Sequence, residues 1–110
     1  MKFHVSADEA RMQLYQEHEF PFTMVMQHGS MTIEYFEPDT VDTQTPHKKD
    51  EIYVIVSGKA VFNRDGERVN CKRGDVIFVP AGMEHRFERF SPGFATWAIF
   101  YGKDGGEASA

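Results

Sequence analysis

Cysteine is almost missing from this chain: Cys71 is the only one in 110 residues. A single thiol excludes an intrachain disulfide and any zinc cage built from cysteines. No stretch approaches the roughly 20 consecutive apolar residues that a membrane helix requires. The first residues, Met1 to Glu9, carry one early lysine with no apolar run after it, so a secretory signal is not expected and a cytoplasmic location is. Basic residues are few, 12 Lys+Arg against 17 Asp+Glu for a formal charge of −5, and they form no cluster. A nucleic-acid partner, which needs cations against phosphates, is therefore not expected, nor is a membrane. A Gly-rich phosphate loop, a Ser-His-Asp order and paired catalytic carboxylates are all lacking. Aromatics, by contrast, are plentiful: 14% of the chain, ten of them Phe. The length itself fits one domain.

The N-terminal residues 1–21 read as an arm with a short helix. Ser6 and Glu9 have capping-box spacing, and Phe20-Pro21 ends the helical stretch. Strand-like segments then follow one another. Phe22–Met26 and Met31–Phe36 are joined by a turn at His28-Gly29-Ser30, and residues 38–46 form a polar loop. Ile52–Val56, Ala60–Phe62 and Glu67–Cys71 come next, with Asp65-Gly66 as a hairpin signal between the last two. Val76–Val79 is an unbroken apolar run, as expected for a strand buried on both faces or at a barrel wall. Arg86–Phe90 and Phe94–Tyr101 complete the set, and residues 102–110 are small and polar, expected to be a disordered tail. Seven or eight short strands without crossover helices give an all-β sandwich or barrel over residues 22–101.

Of the five histidines, His4, His18 and His28 read as solvated or locally bonded rings. His47 and His85 sit beside turns that open or close strands. Glu51 follows His47 by four residues, a gap of about 13 Å on an extended strand, so the two converge only if Lys48-Lys49-Asp50 bends. Two imidazoles and a carboxylate make a set suited to a divalent first-row metal with open positions. Spacing alone does not separate this from a solvated Lys-Lys-Asp-Glu face. Cys71 reads as a small packed residue.

The stretch Gly74 to His85 meets G-x5-P-x-G-x2-H at every fixed position, with Arg89 where an Asn usually follows. His47, Glu51 and Gly58 meet H-x3-E-x6-G, while Thr45 stands where a further His would precede His47. These two motifs, 15 residues apart, resemble those of the small single-domain cupins. The resemblance implies a double-stranded β-helix, or jelly-roll, barrel with His47, Glu51 and His85 as ligands of a divalent transition metal: Fe, Mn, Ni, Cu or Zn. With Thr45 a poor ligand, a three-ligand site is left, or Gln44 or a water fills the gap, or metal affinity is lost. On that fold, period-2 alternation puts Tyr53 on the face of Glu51, and Phe87 and Arg89 on that of His85. These three are expected to bind substrate, Arg89 by clamping a carboxylate.

The function implied is an oxygenase- or isomerase-type enzyme acting on a small organic molecule in the barrel. The alternative is a non-catalytic ligand-binding or sensing cupin with a partial metal site, and a third reading is an assembly role with a dead pocket. The aromatic surplus exceeds what one lumen can hold and is consistent with a homodimer interface.

Overall fold

The computed structural model describes residues 2–108. One helix, α1 (Ala7–Glu17), precedes eight strands: β1 (Phe22–His28), β2 (Met31–Phe36), β3 (Asp50–Ser57), β4 (Lys59–Arg64), β5 (Glu67–Lys72), β6 (Val76–Val79), β7 (His85–Glu88) and β8 (Ala95–Tyr101). Among the described residues, no helix is long and apolar enough to cross a membrane. The capping box is present: Ser6 Oγ accepts from the Glu9 amide at 3.1 Å, and Glu9 Oε1 accepts from the Ser6 amide at 3.3 Å. The helix ends where His18 turns left-handed and lays Ala10 and Leu14 against Tyr35, Ala95 and Trp97.

The strands form two antiparallel sheets, β1-β2-β8-β3-β6 and β5-β4-β7. Facing side chains of the two sheets make the main core, which includes Phe36, Tyr53, Phe62, Phe87 and Phe94. Their rings meet edge-on or tilted, as Tyr53–Phe87 and Phe62–Phe87 do at centroid distances of 4.9 Å, the geometry aromatic quadrupoles favour. This is a jelly-roll barrel, as expected. Gly58, at φ +78°, closes the β3–β4 connection where an added Cβ would lie 2.9 Å from the Phe94 Cα, so close approach as well as backbone hand requires glycine.

Of the two places expected for Val76–Val79, the structure has the barrel wall: β6 is a sheet edge paired only with β3, and Val76 and Phe78 are exposed while Val79 is buried. An unbroken apolar run cannot by itself tell the two apart. One expectation is corrected: residues 102–108 are not a disordered tail, and residues 109 and 110 of that stretch lie outside the described residues. Residues 102–108 fold back on the turn before β3, where the Gly105 amide donates to the Lys48 carbonyl at 2.8 Å and the Glu107 amide to Asp50 at 2.9 Å.

Candidate metal centre

Lys48 and Lys49 bend, as the spacing required, and the bend brings His47 back onto Glu51, the second residue of β3. The His47 Nε2 lies 2.7 Å from Glu51 Oε1. His85, the first residue of β7, reaches the same oxygen from the other sheet, with its Nε2 at 3.3 Å. One donor atom from each of the three residues can be chosen so that all lie within 4.8 Å of one another. Glu51 is fully buried and the His85 ring nearly so, while His47 is half-buried at the open side.

The hydrogen bonds fix the imidazole tautomers. His47 Nδ1 is 2.7 Å from the Lys49 carbonyl and His85 Nδ1 is 2.9 Å from the Met83 carbonyl. A carbonyl only accepts, so both Nδ1 atoms carry hydrogen and donate. In the neutral rings both Nε2 lone pairs then point at a carboxylate that is itself rich in lone pairs. His85 Nε2 and Glu51 Oε2 are buried without a hydrogen-bond partner among the described residues. Such a convergence calls for a proton or a cation between the groups. An ion about 2.1 Å from each donor sits among donors roughly 3–4 Å apart. Here His85 Nε2 is 3.3 Å from Glu51 Oε1 and His47 Nε2 is 2.7 Å from it, so a small outward shift of His47, the half-buried member, admits the ion. The backbone carbonyls are the usual outer partners of metal-binding histidines. The donor set therefore fits a divalent transition metal.

Electrostatics agree. Burial by itself would push the His47 pKa down, but the hydrogen bond and charge of Glu51 outweigh it and the value is raised. Burial would likewise raise Glu51, and the two imidazoles outweigh that to lower it. The His47–Glu51 pair is arranged to hold positive charge beside the carboxylate.

A cleft of about 490 Å³ opens onto His47 and Glu51, with His85 behind them. Its walls are apolar, from Phe20, Phe22, Phe36, Val41 and Phe100, and its rim includes Thr43, Gln44 and Thr45. Thr45 is exposed. Gln44 is engaged otherwise than as a ligand: its Oε1 accepts from the Tyr53 hydroxyl at 2.9 Å and its Nε2 donates to Asp42 at 2.7 Å. Tyr53 and Phe87 lie on the expected face but are wholly buried in the core and do not line the cleft. Burial first, then the charge of Glu51, hold the Tyr53 phenol well above its ordinary pKa, so it stays a donor.

Arg89 is not brought to the cleft. It follows the last residue of β7 with φ +47°, and this left-handed turn breaks the alternation that would have carried it inward. It is exposed on an outer groove with Lys59 and Lys72. The carboxylate clamp expected of it is thereby removed from the site. Sequence reasoning passed over Glu34 of β2, which lines the cleft. The sequence signal for it was weak, an acidic residue in a strand of otherwise uncharged side chains.

A two-sheet jelly roll with two histidines and a glutamate gathered at the inner end of a cleft is the build of a barrel protein with a candidate metal centre. The Cupin domain model matches residues 32–98, more than half of the chain, and the protein belongs to the cupin family. An uncharacterized protein of Streptomyces coelicolor is 39% identical over 61 residues, covering 56% of this chain and 58% of the relative. An acireductone dioxygenase of Parvibaculum lavamentivorans is 39% identical over 64 residues, covering 54% of this chain and 35% of that enzyme. The chain thus spans 58% of the first relative and about a third of the second. A solved structure of unknown function from Rhizobium leguminosarum shares the fold with a TM-score of 0.69 at 19% identity, covering 92% of this chain and 98% of that one.

Proposed function

We propose that this cupin holds a divalent transition ion through His47 Nε2, Glu51 and His85 Nε2. With it the protein carries out an oxygenase- or isomerase-type reaction on a small organic molecule in the cleft. The observation that carries this reading is the pair of imidazoles locked by their Nδ1–H groups, with both Nε2 atoms converging on one carboxylate oxygen. The likeness to an acireductone dioxygenase supports the oxygenase side of it. A bound ion supplies Lewis acidity and open positions toward the substrate. The chain supplies the rest. Lys49 and Met83 carbonyls hold the rings in orientation, Phe36 and Phe100 exclude water from the walls, and the Tyr53–Gln44–Asp42 chain of hydrogen bonds holds the rim loop.

The test is elemental analysis after loading with Fe, Mn, Ni, Cu or Zn. About one ion per chain is expected, with loss of binding in His85→Ala. A wild-type chain that retains none of the five overturns the reading. The second reading, a ligand-binding module without turnover, is favoured by one observation: the cluster has three protein ligands, with Thr45 exposed and Gln44 engaged elsewhere. It predicts stabilisation by a bound small molecule with no product formed, and reproducible turnover removes it.

A further inference from the structure

Three carboxyl groups line the cleft: Asp42, Glu51 and Glu34. Asp42 is saturated with donors, accepting the Phe87 amide at 2.8 Å, the Gln44 amide at 3.1 Å and Gln44 Nε2 at 2.7 Å. Glu51 faces the two imidazoles. Glu34 has no hydrogen-bond or ion-pair partner among the described residues. It sits on β2 opposite Ala98 of β8, which is in turn opposite Tyr53 of β3. Glu34, Ala98 and Tyr53 thus share the inner face, and the small Ala98 side chain leaves open the space between Glu34 and the metal-ligand side. No Lys or Arg lines the cleft, so an anionic substrate would find no side-chain cation there.

We propose that Glu34 is the proton acceptor of this cleft, taking the proton of a hydroxyl on a substrate that is neutral in solution and apolar at its other end. The proposal rests on the cleft being the substrate site of the metal reading. In the step, the substrate O–H bond breaks, the proton passes to a Glu34 carboxylate oxygen, and the bonding pair stays on the substrate oxygen. Return of the proton restores both groups. The apolar end rests against the stacked Phe20–Phe22 pair at the mouth, whose centroids are 5.3 Å apart. The environment suits the role: in the ion-free chain burial first, then the charge of Glu51, raise the Glu34 pKa to about 7, with His47 opposing, and with a cation on Glu51 burial is the cause that stays. Its strand neighbours Met24 and Ala98 are uncharged, so Glu51, His47 and the donor-saturated Asp42 are the ionisable groups sharing its cleft. A carboxyl poised near neutrality exchanges protons in either direction at working pH.

The test uses the zinc-loaded chain and 4-methylcatechol, a neutral diol at about pH 8 because phenols ionise near 10. The ultraviolet band of the probe, followed by stopped flow with the protein in excess, reports how fast the bound probe ionises. At that pH a carboxyl of pKa about 7 or below is mostly unprotonated, ready to accept the proton and to pass it on to the buffer. Wild type is expected to ionise the bound probe at least about tenfold faster than Glu34→Gln, and its rate is expected to fall as pH drops through the Glu34 pKa, a step the variant lacks. Equal rates without that step overturn the proposal, as does a wild type that leaves the probe unbound or un-ionised. Zinc content is measured separately. A chain that fails to load overturns the metal reading alone, and the exchange of the bound probe's hydroxyl proton with water, read by NMR on the metal-free chain, then decides the role of Glu34: faster exchange in wild type than in Glu34→Gln supports it and equal exchange overturns it.

Discussion

Glu34 affects stability as well as chemistry, and the sign can be worked out. Its folded pKa of about 7 lies above the ordinary 4.5, so the unfolded chain gives up this proton more readily than the folded one. The resulting destabilisation is absent below about pH 4.5, grows through the window between the two values, and is complete above about 7. Glu34→Gln is therefore expected to raise Tm at pH 8 and to raise it much less at pH 5, as thermal unfolding at the two pH values will show. An equal change at both would mean that the carboxyl is not desolvated. The ligands respond in the opposite sense. His47 has a raised pKa and must lose its proton to bind an ion, so metal affinity is expected to fall as pH drops through that value, by up to about tenfold per unit. Gln44 supplies a third check. Its carbonyl already accepts from Tyr53, so Gln44→Ala should leave metal affinity within about threefold while destabilising the rim by about 1 kcal/mol for the lost hydrogen bond. A larger loss of metal would make Gln44 a ligand.

The turns that carry the ligands are joined by one buried side chain. Asp50 Oδ1 accepts the Ala81 amide and its Oδ2 the Glu107 amide, both at 2.9 Å. The Gly82 amide donates to the His47 carbonyl at 2.8 Å. Asp50 thus clasps the His47–Glu51 bend, the Pro80–Gly82 turn that leads to His85, and residues 102–108. At Gly106, φ +89°, an added Cβ would lie 2.9 Å from Asp50 Oδ1, so that segment could not close with a larger residue. Hydrogen bonds from both amides hold the Asp50 carboxyl below its ordinary pKa. Asp50→Ala frees both amides and lets the two ligand-bearing turns separate, and an outer-partner loss of this kind typically costs about 10–100-fold in metal affinity. A competition assay with a coloured chelator reads that loss, and unchanged affinity would show the turns to be held without the clasp. Much of this architecture was legible in the sequence. Turn residues and alternation placed every strand, and two spaced motifs placed His47, Glu51 and His85. What escaped depended on long-range packing. Asp50 looked like part of a solvated Lys-Lys-Asp-Glu face because its partners lie 31 and 57 residues away. Arg89 was assigned inward because alternation assumes extended backbone, which its positive φ violates.

The five-stranded sheet has two edges, β1 and β6, and each has a side chain on its outer backbone. Gln13 Nε2 donates to the Met24 carbonyl at 2.9 Å, and Arg64 Nη1 donates to the Phe78 carbonyl at 3.2 Å. Edges occupied in this way are poor templates for strand-to-strand pairing with another molecule. The face beside β6 is different. Val76, Phe78 and Val69 of β5 are 68%, 46% and 47% exposed and lie along one shallow groove with Ile77. A homodimer, which the aromatic surplus suggested, would accordingly pack sheet face on sheet face across this groove rather than extend a sheet. Two-fold symmetry places the same patch on both sides, so one substitution acts twice. A chain that pairs through this groove is expected to scatter light as a monomer once Phe78→Lys is introduced. The effect of that substitution on the stability of the single chain should stay within about 0.5 kcal/mol, the usual range for surface changes. The variant should load metal as the wild type does, because Phe78 does not line the cleft. A wild-type chain that scatters as a monomer at tens of micromolar would remove the dimer, and a Phe78→Lys chain that still dimerises would move its interface to another face.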